Sequence, residues 1–200
     1  MRNITVRKAN INDARYFSEL VLLSAPYFPI LFGTKIKVVL EHLFSSSGNL
    51  FSYEHVYFGT INKRIASMIL GYSWKDKKRE DLRTGFLLLK YVGVRILNKL
   101  PVLLKFNATV GRLNEGEYYI SNIATFHKFR GNGIGKRLML IAENEARMSS
   151  ANRIVLDVEK DNIGAISFYK KLGYKVVNEF LIPFQRYKPL HFYRMAKEIG

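Results

Sequence analysis

Three glycines lie within five residues, at Gly131, Gly133 and Gly135, in the stretch KFRGNGIGKRLM. Glycine loses more conformational freedom on folding than any other residue, so such a cluster needs a structural reason. The preceding segment, GEYYISNIAT, has the composition of a strand, and the following residues have helical spacing. A strand, a glycine loop and a helix N-terminus together present free backbone N–H groups and a positive dipole end, which suits an anion such as a phosphate.

The glycine loop does not match two common nucleotide-binding motifs. A Walker phosphate loop would place glycine at position 130 and serine or threonine at position 137, where the chain has Arg130 and Arg137. A dinucleotide fingerprint, G-x-G-x-x-G, would need a third glycine where Lys136 or Leu138 stands. The loop therefore argues against ATP and NAD and leaves other phosphorylated ligands open.

Alternating and β-branched patterns predict the strands of this chain. They lie in ITVRKA, EHVYFGTIN, RIASMILGYSW, GEYYISNIAT, RIVLDVE, YKVVNEF and LHFYRMA. Asn62 and Lys63 stand between the second and third of these segments and predict a hairpin turn, so those two strands should be antiparallel.

Helical spacing predicts helices between these strands. They lie in NINDARYFSELVLLS, in KIKVVLEHLFS, from about Ile134 to Met148, and in AISFYKKLG, which Gly173 would end. Asn10 and Asp13 form a cap-like pair at the start of the first helix. APYFPILFG is aromatic and holds two prolines, so it is predicted to be an irregular link that could line a pocket or cap the core.

Strands on both sides of two βα units indicate the α/β (α+β) class, with a mixed central sheet of about six to seven strands and flanking helices. The chain has 200 residues, of which 48% are apolar, enough for one well-buried core. We therefore expect a single domain over residues 1–200.

The segment from about residue 76 to residue 114 departs from this alternation. It is rich in lysine and arginine and predicts a basic amphipathic helix ending near Pro101, which we interpret as an insertion or a lid. Apolar residues mix with basic and polar ones there, as on an interfacial helix. These are Leu87, Leu88, Tyr91, Val94, Arg95, Leu97 and Asn98.

The net charge is +16, from 32 basic and 16 acidic residues. Such a charge attracts polyanions, including nucleic acid, acidic membranes and phosphorylated cofactors, and does not choose among them. A high positive charge that serves only to keep the protein soluble would look the same in the sequence. Cationic acceptors such as polyamines are less favoured by a positive protein, unless a local acidic pocket reverses the field.

Composition excludes several chemistries. The chain has no cysteine, which excludes disulfides, thiolate zinc sites and cysteine nucleophiles.

The N-terminus MRNITVRKAN lacks the apolar run of a signal peptide. The longest apolar segment carries Lys90, Arg95, Lys99 and Lys105, which argues against a transmembrane helix, and we expect a cytoplasmic protein. The four histidines, at positions 42, 55, 127 and 191, show no metal-ligand spacing, so no metal site is expected.

Two motifs in order carry a family resemblance. The first is R-x-x-G-x-G, supplied by Arg130, Gly133 and Gly135. The second lies in LDVEKDNIGAISFYKKLGY, where an asparagine, a tyrosine ending an apolar helix, a glycine and an aromatic residue fall at Asn162, Tyr169, Gly173 and Tyr174. The chain thereby resembles the GCN5-related N-acetyltransferase superfamily over roughly residues 1–75 and 115–197.

The resemblance implies acetyl-CoA as cosubstrate, no metal, and a sheet splayed at the cofactor. It implies that the glycine loop wraps the pyrophosphate and that the end of the preceding strand offers backbone groups to the pantetheine arm. The cofactor-binding candidates are Ile123, Ala124, Thr125, Arg130, Gly131, Asn132, Gly133, Ile134, Gly135, Lys136, Asn162 and Tyr169. Asn162 could instead simply cap its helix, as asparagine often does.

The resemblance also implies direct attack of an amine on the thioester and proposes catalytic residues. Tyr169 is the candidate acid for the departing thiolate, although it could be a core residue. Asp157, twelve residues earlier, is the first candidate base, and it could instead pair with a cation at a strand end. Glu117 is the second candidate, since Tyr119 occupies the position that carries a glutamate in histone-type members.

We therefore predict an N-acetyltransferase that acts on a protein N-terminus or a small amine. The alternative is a basic binding module on the same scaffold that engages RNA, the ribosome or a membrane with little activity. A homodimer is also possible under the resemblance, because the family often pairs through late strands.

Overall fold

The computed structural model describes residues 3–93, 109–183 and 189–199. Seven strands form one sheet in the order β1-β2-β3-β4-β5-β7-β6. Their bounds are Ile4–Lys8 (β1), Val56–Ile61 (β2), Arg64–Ser73 (β3), Glu117–Thr125 (β4), Arg153–Glu159 (β5), Lys175–Ile182 (β6) and Leu190–Glu198 (β7). The mixed α/β class and the strand number are confirmed, and every predicted strand is present.

Helices cover both faces of this sheet. They span Ala14–Ser24 (α1), Phe28–Phe32 (α2), Ile36–Ser45 (α3), Trp74–Val92 (α4), Ile134–Met148 (α5) and Ile163–Lys171 (α6). On one face, α5 and α6 pack on Ile120, Leu156 and Met195, and we call this the α5 face. On the other, α1 to α4 pack on Phe58, Met68 and Ala124 and border a smaller cluster around Tyr119 and Val155; we call this the α1 face.

Local sequence signals explain several boundaries. Asn10 and Asp13 form the expected capping box at the 3-10 turn that opens α1. Asn62 and Lys63 have φ of 49° and 63°, the left-handed conformation that a tight hairpin turn requires, and β2 and β3 are antiparallel as predicted.

Two expectations differ from the structure. APYFPILFG is not wholly irregular, because Pro29 lies in the first turn of the short helix α2, where its missing N–H costs no hydrogen bond. The helix of the basic segment is predicted to end near Pro101. In the structure it ends at Val92, because Gly93 takes φ of 84°. Pro101 itself lies outside the described residues, as do Val94, Arg95, Leu97 and Asn98 of the predicted interfacial surface.

The central strands β4 and β5 pair only over part of their length. They run parallel, with registered pairs from Glu117↔Arg153 to Ile120↔Leu156. Beyond that last pair, β4 continues to Thr125 and β5 to Glu159 without pairing to each other. The predicted splay of the sheet is therefore confirmed, and it opens a gap between the C-terminal ends of two neighbouring strands.

Among the described residues, no helix is both long enough and apolar enough to cross a membrane.

Candidate active site

The glycine loop lies at the mouth of the gap between β4 and β5. Gly131 and Gly133 have φ of 78° and 75°, a conformation that strains residues with a Cβ atom. Asn132 holds the loop in shape, because its Nδ2 donates to the carbonyl of Phe129 at 2.9 Å and to that of Arg130 at 3.2 Å. Positive φ angles thus supply the reason for the glycines.

The loop ends at the N-terminus of α5, which can receive an anion. Gly133 is the N-cap residue and brings no side chain to the first-turn N–H groups, which have no carbonyl partners within a helix. A Cβ atom at Gly131 or Gly133 would meet no heavy atom of the described residues within 4 Å, so the space above the loop is open. Lys136 is exposed in the first turn. This donor set fits a pyrophosphate.

Gly135 serves a different purpose from the two loop glycines. A Cβ atom there would lie 3.4 Å from Cζ of Phe168, an ordinary contact distance, so Gly135 lies where α5 meets α6. This contact places the second sequence motif beside the first. The structure thus brings the two motifs together on the α5 face.

The end of β4 forms one wall of the gap. Ile123, Ala124 and Thr125 pair with β3 on one side, through Ile69, Met68 and Ser67. Their other edge faces the gap, because the pairing with β5 has already ended. An extended ligand lying in the gap can therefore take hydrogen bonds from this strand edge.

Tyr169 lies on α6 and is only 7% exposed. Its ring packs against Phe168 and Tyr174, with centroid separations of 5.4 Å and 6.1 Å. Burial raises the pKa of Tyr169, so the hydroxyl stays protonated well into alkaline solution. Asn162 caps the same helix, since its Oδ1 accepts from the N–H of Ala165 at 3.2 Å.

Asp157 is enclosed by donors. Arg194 of β7 contacts both carboxylate oxygens, with Nε at 2.8 Å from Oδ1 and a terminal nitrogen at 2.9 Å from Oδ2. Oδ2 also accepts from the N–H of Gly111 at 2.9 Å and from the hydroxyl of Tyr119 at 3.1 Å. The side chain of Asp157 is 1% exposed. These contacts are those of the strand-end ion pair that the sequence left open as an alternative.

The ion pair of Asp157 and Arg194 also binds a segment of the chain that is distant in sequence. Arg194 donates to the carbonyls of Arg112 at 2.8 Å and Thr109 at 3.4 Å, while Asp157 accepts from Gly111. Burial lowers the pKa of Arg194, and its hydrogen bonds and charge contact with Asp157 more than offset this, so the guanidinium stays charged. The pair therefore fastens residues 109–113 onto the α1 face beside the gap.

Glu117 lies at the other end of the paired part of β4. Its Oε2 accepts from the N–H of Asn114 at 2.8 Å, and its Oε1 lies 3.6 Å from Arg153. It forms the first registered pair with β5, three residues before the last pair at Ile120, which corresponds to about 10 Å along a strand. The structure therefore does not bring Glu117 to the gap where Asp157 lies.

Three residues near the gap were not identified as site residues from sequence. Arg194 is marked in the sequence only as a basic residue within the mostly apolar strand LHFYRMA. Glu159 stands two residues after Asp157, at the end of β5. Tyr27 belongs to the aromatic link, which was expected to line a pocket or to cap the core, and its ring contacts Phe192 of β7 edge-on at 6.0 Å.

Comparison with known proteins agrees with this geometry. The model of the Acetyltransferase (GNAT) family matches residues 51–174, which span β2 to α6 and both motifs. A crystal structure described as that of an acetyltransferase superposes with a TM-score of 0.71 at 22% identity, covering 98% of this chain and 100% of that one. That likeness shows the fold.

Curated relatives match shorter stretches. N-alpha-acetyltransferase 30 of Schizosaccharomyces pombe is 36% identical over 75 residues, which are 38% of this chain and 43% of that protein. "Probable N-acetyltransferase san" of Drosophila melanogaster is 26% identical over 141 residues, 68% of this chain and 73% of that protein. Across four relatives at 30% identity or more, this chain spans between 21% and 43% of their length. Because the family model covers more than half of the chain and includes both motifs, the chain belongs to the GNAT acetyltransferase family.

Proposed function

We propose that this chain is an acetyl-CoA-dependent N-acetyltransferase that transfers acetyl directly to a primary amine. The observation that carries the proposal is the glycine loop at the N-terminus of α5, placed at the mouth of the gap between β4 and β5. Membership of the family supports the same activity. No cysteine is present, which agrees with direct transfer without a covalent enzyme intermediate.

Acetyl-CoA fits the residues around the gap. The backbone N–H groups from Arg130 to Lys136 would hold its pyrophosphate, and the edge of β4 at 123–125 would run beside its pantetheine arm. When bound, this cosubstrate supplies a thioester carbonyl as the acetyl donor. Asn162 already uses its Oδ1 as a helix cap, so its contribution to cofactor binding would come from the amide nitrogen.

Tyr169 would hold the proton that the leaving sulfur needs. Free tyrosine has a pKa of about 10 and a free thiol one of about 8.5, so transfer of that proton is uphill by roughly 2 kcal/mol at ordinary values. Burial raises the pKa of Tyr169 further, whereas a lowered pKa would have eased the transfer. The supported role is therefore a hydroxyl that stays protonated and donates a hydrogen bond to the sulfur as charge develops.

We propose that Asp157 acts as a positioning residue on the acceptor side of the gap. Its four donors and its burial leave little room for it to take a proton from an incoming amine. It orients Tyr119 and, through Gly111, the chain segment that borders the α1 face. Glu117 is the weaker candidate for a base, because it lies at the far end of the paired strands.

The acceptor in this proposal is a peptide N-terminus or a small primary amine. The name of the fission yeast relative indicates an enzyme acting on α-amino groups, which supports the first choice. The pKa of an α-amino group is about 8 and that of lysine is about 10.4. An N-terminal acceptor therefore needs a weaker base to deprotonate it than a lysine side chain does. A cytoplasmic location remains a prediction from the sequence.

The second candidate is a basic binding module that engages RNA, the ribosome or a membrane. It is favoured by the outer face of α4, where Leu82 and Phe86 are 89% and 65% exposed beside lysines and arginines. Should two copies pair, the exposed edge strand β6, with Val176 and Val177 at its surface, would be the pairing surface.

Substitution of Gly133 by aspartate should abolish acetyl-CoA binding. The new side chain would strain a residue at φ of 75° and bring negative charge to the pyrophosphate position. Isothermal titration calorimetry should give micromolar binding to the wild type and none to Gly133→Asp. The control is Gly85→Asp on the exposed face of α4, which makes the same change away from the gap and should bind normally. Salt-dependent binding of RNA or anionic liposomes without acetyl-CoA binding would support the second candidate instead.

Substitution of Tyr169 by phenylalanine should lower turnover by roughly 10²- to 10⁴-fold and leave acetyl-CoA affinity unchanged. Because its pKa is raised, Tyr169 stays protonated to higher pH than free tyrosine, so wild-type turnover should show no loss from its ionisation up to about pH 10. Both are measured as thiol release over a panel of primary amines. Tyr174→Phe is the matched control, because the buried Tyr174 hydroxyl has no partner among the described residues. Equal turnover in Tyr169→Phe and the wild type would show that the Tyr169 hydroxyl does not stabilise the leaving sulfur.

Substitution of Arg194 by methionine should destabilise the fold by roughly 3–5 kcal/mol, because it leaves the buried Asp157 carboxylate without its cation. Urea unfolding measures this change. Lys37→Met breaks an exposed pair with Glu19 and should cost less than about 1 kcal/mol. Similar losses in the two variants would contradict a buried, structurally essential pair.

A further inference from the structure

The C-terminal end of β5 presents a carboxylate on the acceptor side of the gap. Alternation along the strand places Asp157 and Glu159 on the α1 face, while Val158 packs in the core on the α5 face. Asp157 is neutralised by Arg194. Glu159 is partly exposed and forms no ion pair with any of the described residues. The carboxylate that remains available at this strand end is therefore that of Glu159.

Aromatic rings lie next to this carboxylate. Glu159 is registered opposite Phe192 of β7, so the two side chains are neighbours on the same face of the sheet. The ring of Phe192 meets Tyr27 edge-on at 6.0 Å and stacks on Phe180 at 5.6 Å. Phe192 is only 3% exposed, so these packed rings form an apolar wall beside the carboxylate. A charge contact next to such a wall is screened less than in bulk water, which favours binding of an organic ammonium ion.

Among the described residues, the uncompensated charge at this place is the negative charge of Glu159. Burial raises the pKa of Tyr27, and the charges of Glu159 and Asp157 raise it further. Burial also raises the pKa of Glu159, with a further contribution from Asp161. The nearest lysine in sequence, Lys160, contacts Glu179 at 3.2 Å and lies over the ring of Tyr193. The charges of the described residues around Glu159 therefore favour a cation from solution.

The opposite wall of the gap is polar and fixed. Asn122 of β4 donates from Nδ2 to the hydroxyl of Ser24 at 2.8 Å, which ties the end of α1 to the strand. This hydrogen bond fixes the position of Ser24, after which the link that carries Tyr27 begins. The rings and the carboxylate are thus held by three elements, β5, β7 and the α1–α2 link.

We infer that Glu159, with Tyr27 and Phe192, binds the ammonium form of the acceptor amine and so determines which acceptors enter. The inference rests on the proposed acetyltransferase function and specifies its acceptor side. It explains how a protein of net charge +16 receives a cationic substrate. The shared chemistry is a primary ammonium group, whether on a peptide N-terminus or on a small molecule.

The test measures amine binding to the CoA-saturated protein at low salt. The probes are tetrapeptides with a free amino terminus, the same tetrapeptides N-acetylated, and small primary amines of matched size. Free-amine probes should bind the wild type and should bind Glu159→Gln at least about tenfold more weakly, since one charge contact is lost. N-acetylated peptides should bind neither protein. The peptide and small-molecule arms show which source the pocket accepts.

The matched control is Glu198→Gln. Glu198 is exposed and is registered with Arg153 at the opposite end of the β5–β7 ladder, about 20 Å along the strands from Glu159, so the identical change should leave amine binding as in the wild type. Equal amine binding by Glu159→Gln and the wild type, or no preference for free amines in the wild type, would overturn the inference.

Parallel calorimetry with acetyl-CoA separates the two proposals. Normal acetyl-CoA binding by the wild type and by Glu159→Gln, together with amine binding independent of Glu159, would overturn the acceptor site alone. Absence of acetyl-CoA binding with amine capture that still depends on Glu159 would overturn the acetyltransferase function and leave the ammonium site standing.

Discussion

Two parallel strands, β4 and β5, hydrogen-bond to each other and then part after Ile120 and Leu156. Backbone N–H and C=O groups left without strand partners need another partner, and an extended ligand can supply it. The glycine loop stands at the open end of this gap, so a phosphate held at the N-terminus of α5 would direct the rest of a long ligand between the strands. The candidate site is built mainly from backbone geometry, to which side chains add further contacts.

The two faces of the gap differ in charge and polarity. On the α5 face, α6 meets α5 at Gly135, and its protonated Tyr169 lies in the same layer as the loop. On the α1 face, Arg194 neutralises the carboxylate of Asp157, whereas Glu159 keeps a negative charge beside aromatic rings. Cofactor and acceptor would thus approach from opposite faces of one sheet, in environments of opposite sign.

Sequence patterns predicted those parts of the fold that local chemistry determines. The hairpin at Asn62 and Lys63, the bounds of α5 and the capping box at Asn10 follow from residues within a few positions of each other. The end of α4 lies before the predicted one, because Gly93 takes a positive φ that ends the helix ahead of the proline.

The candidate site was predictable only in part. The glycines and Tyr169 stand in short motifs, so their roles could be proposed from sequence. The partner of Asp157 is Arg194, which comes from another strand 37 positions away, and Glu159 gains its aromatic neighbours through strand register and through a link between two helices. Such long-range contacts leave no periodic signal in the chain, and they decide whether a carboxylate is neutralised or available.

Hydrogen exchange with and without acetyl-CoA tests the central claim most directly. If the gap between β4 and β5 is the acyl-CoA site, the amides of residues 131–136 and 123–125 should exchange more slowly in its presence, and those of α4 should be unchanged. Protection confined to α4, or no protection in the glycine loop under saturating acetyl-CoA, would contradict the account.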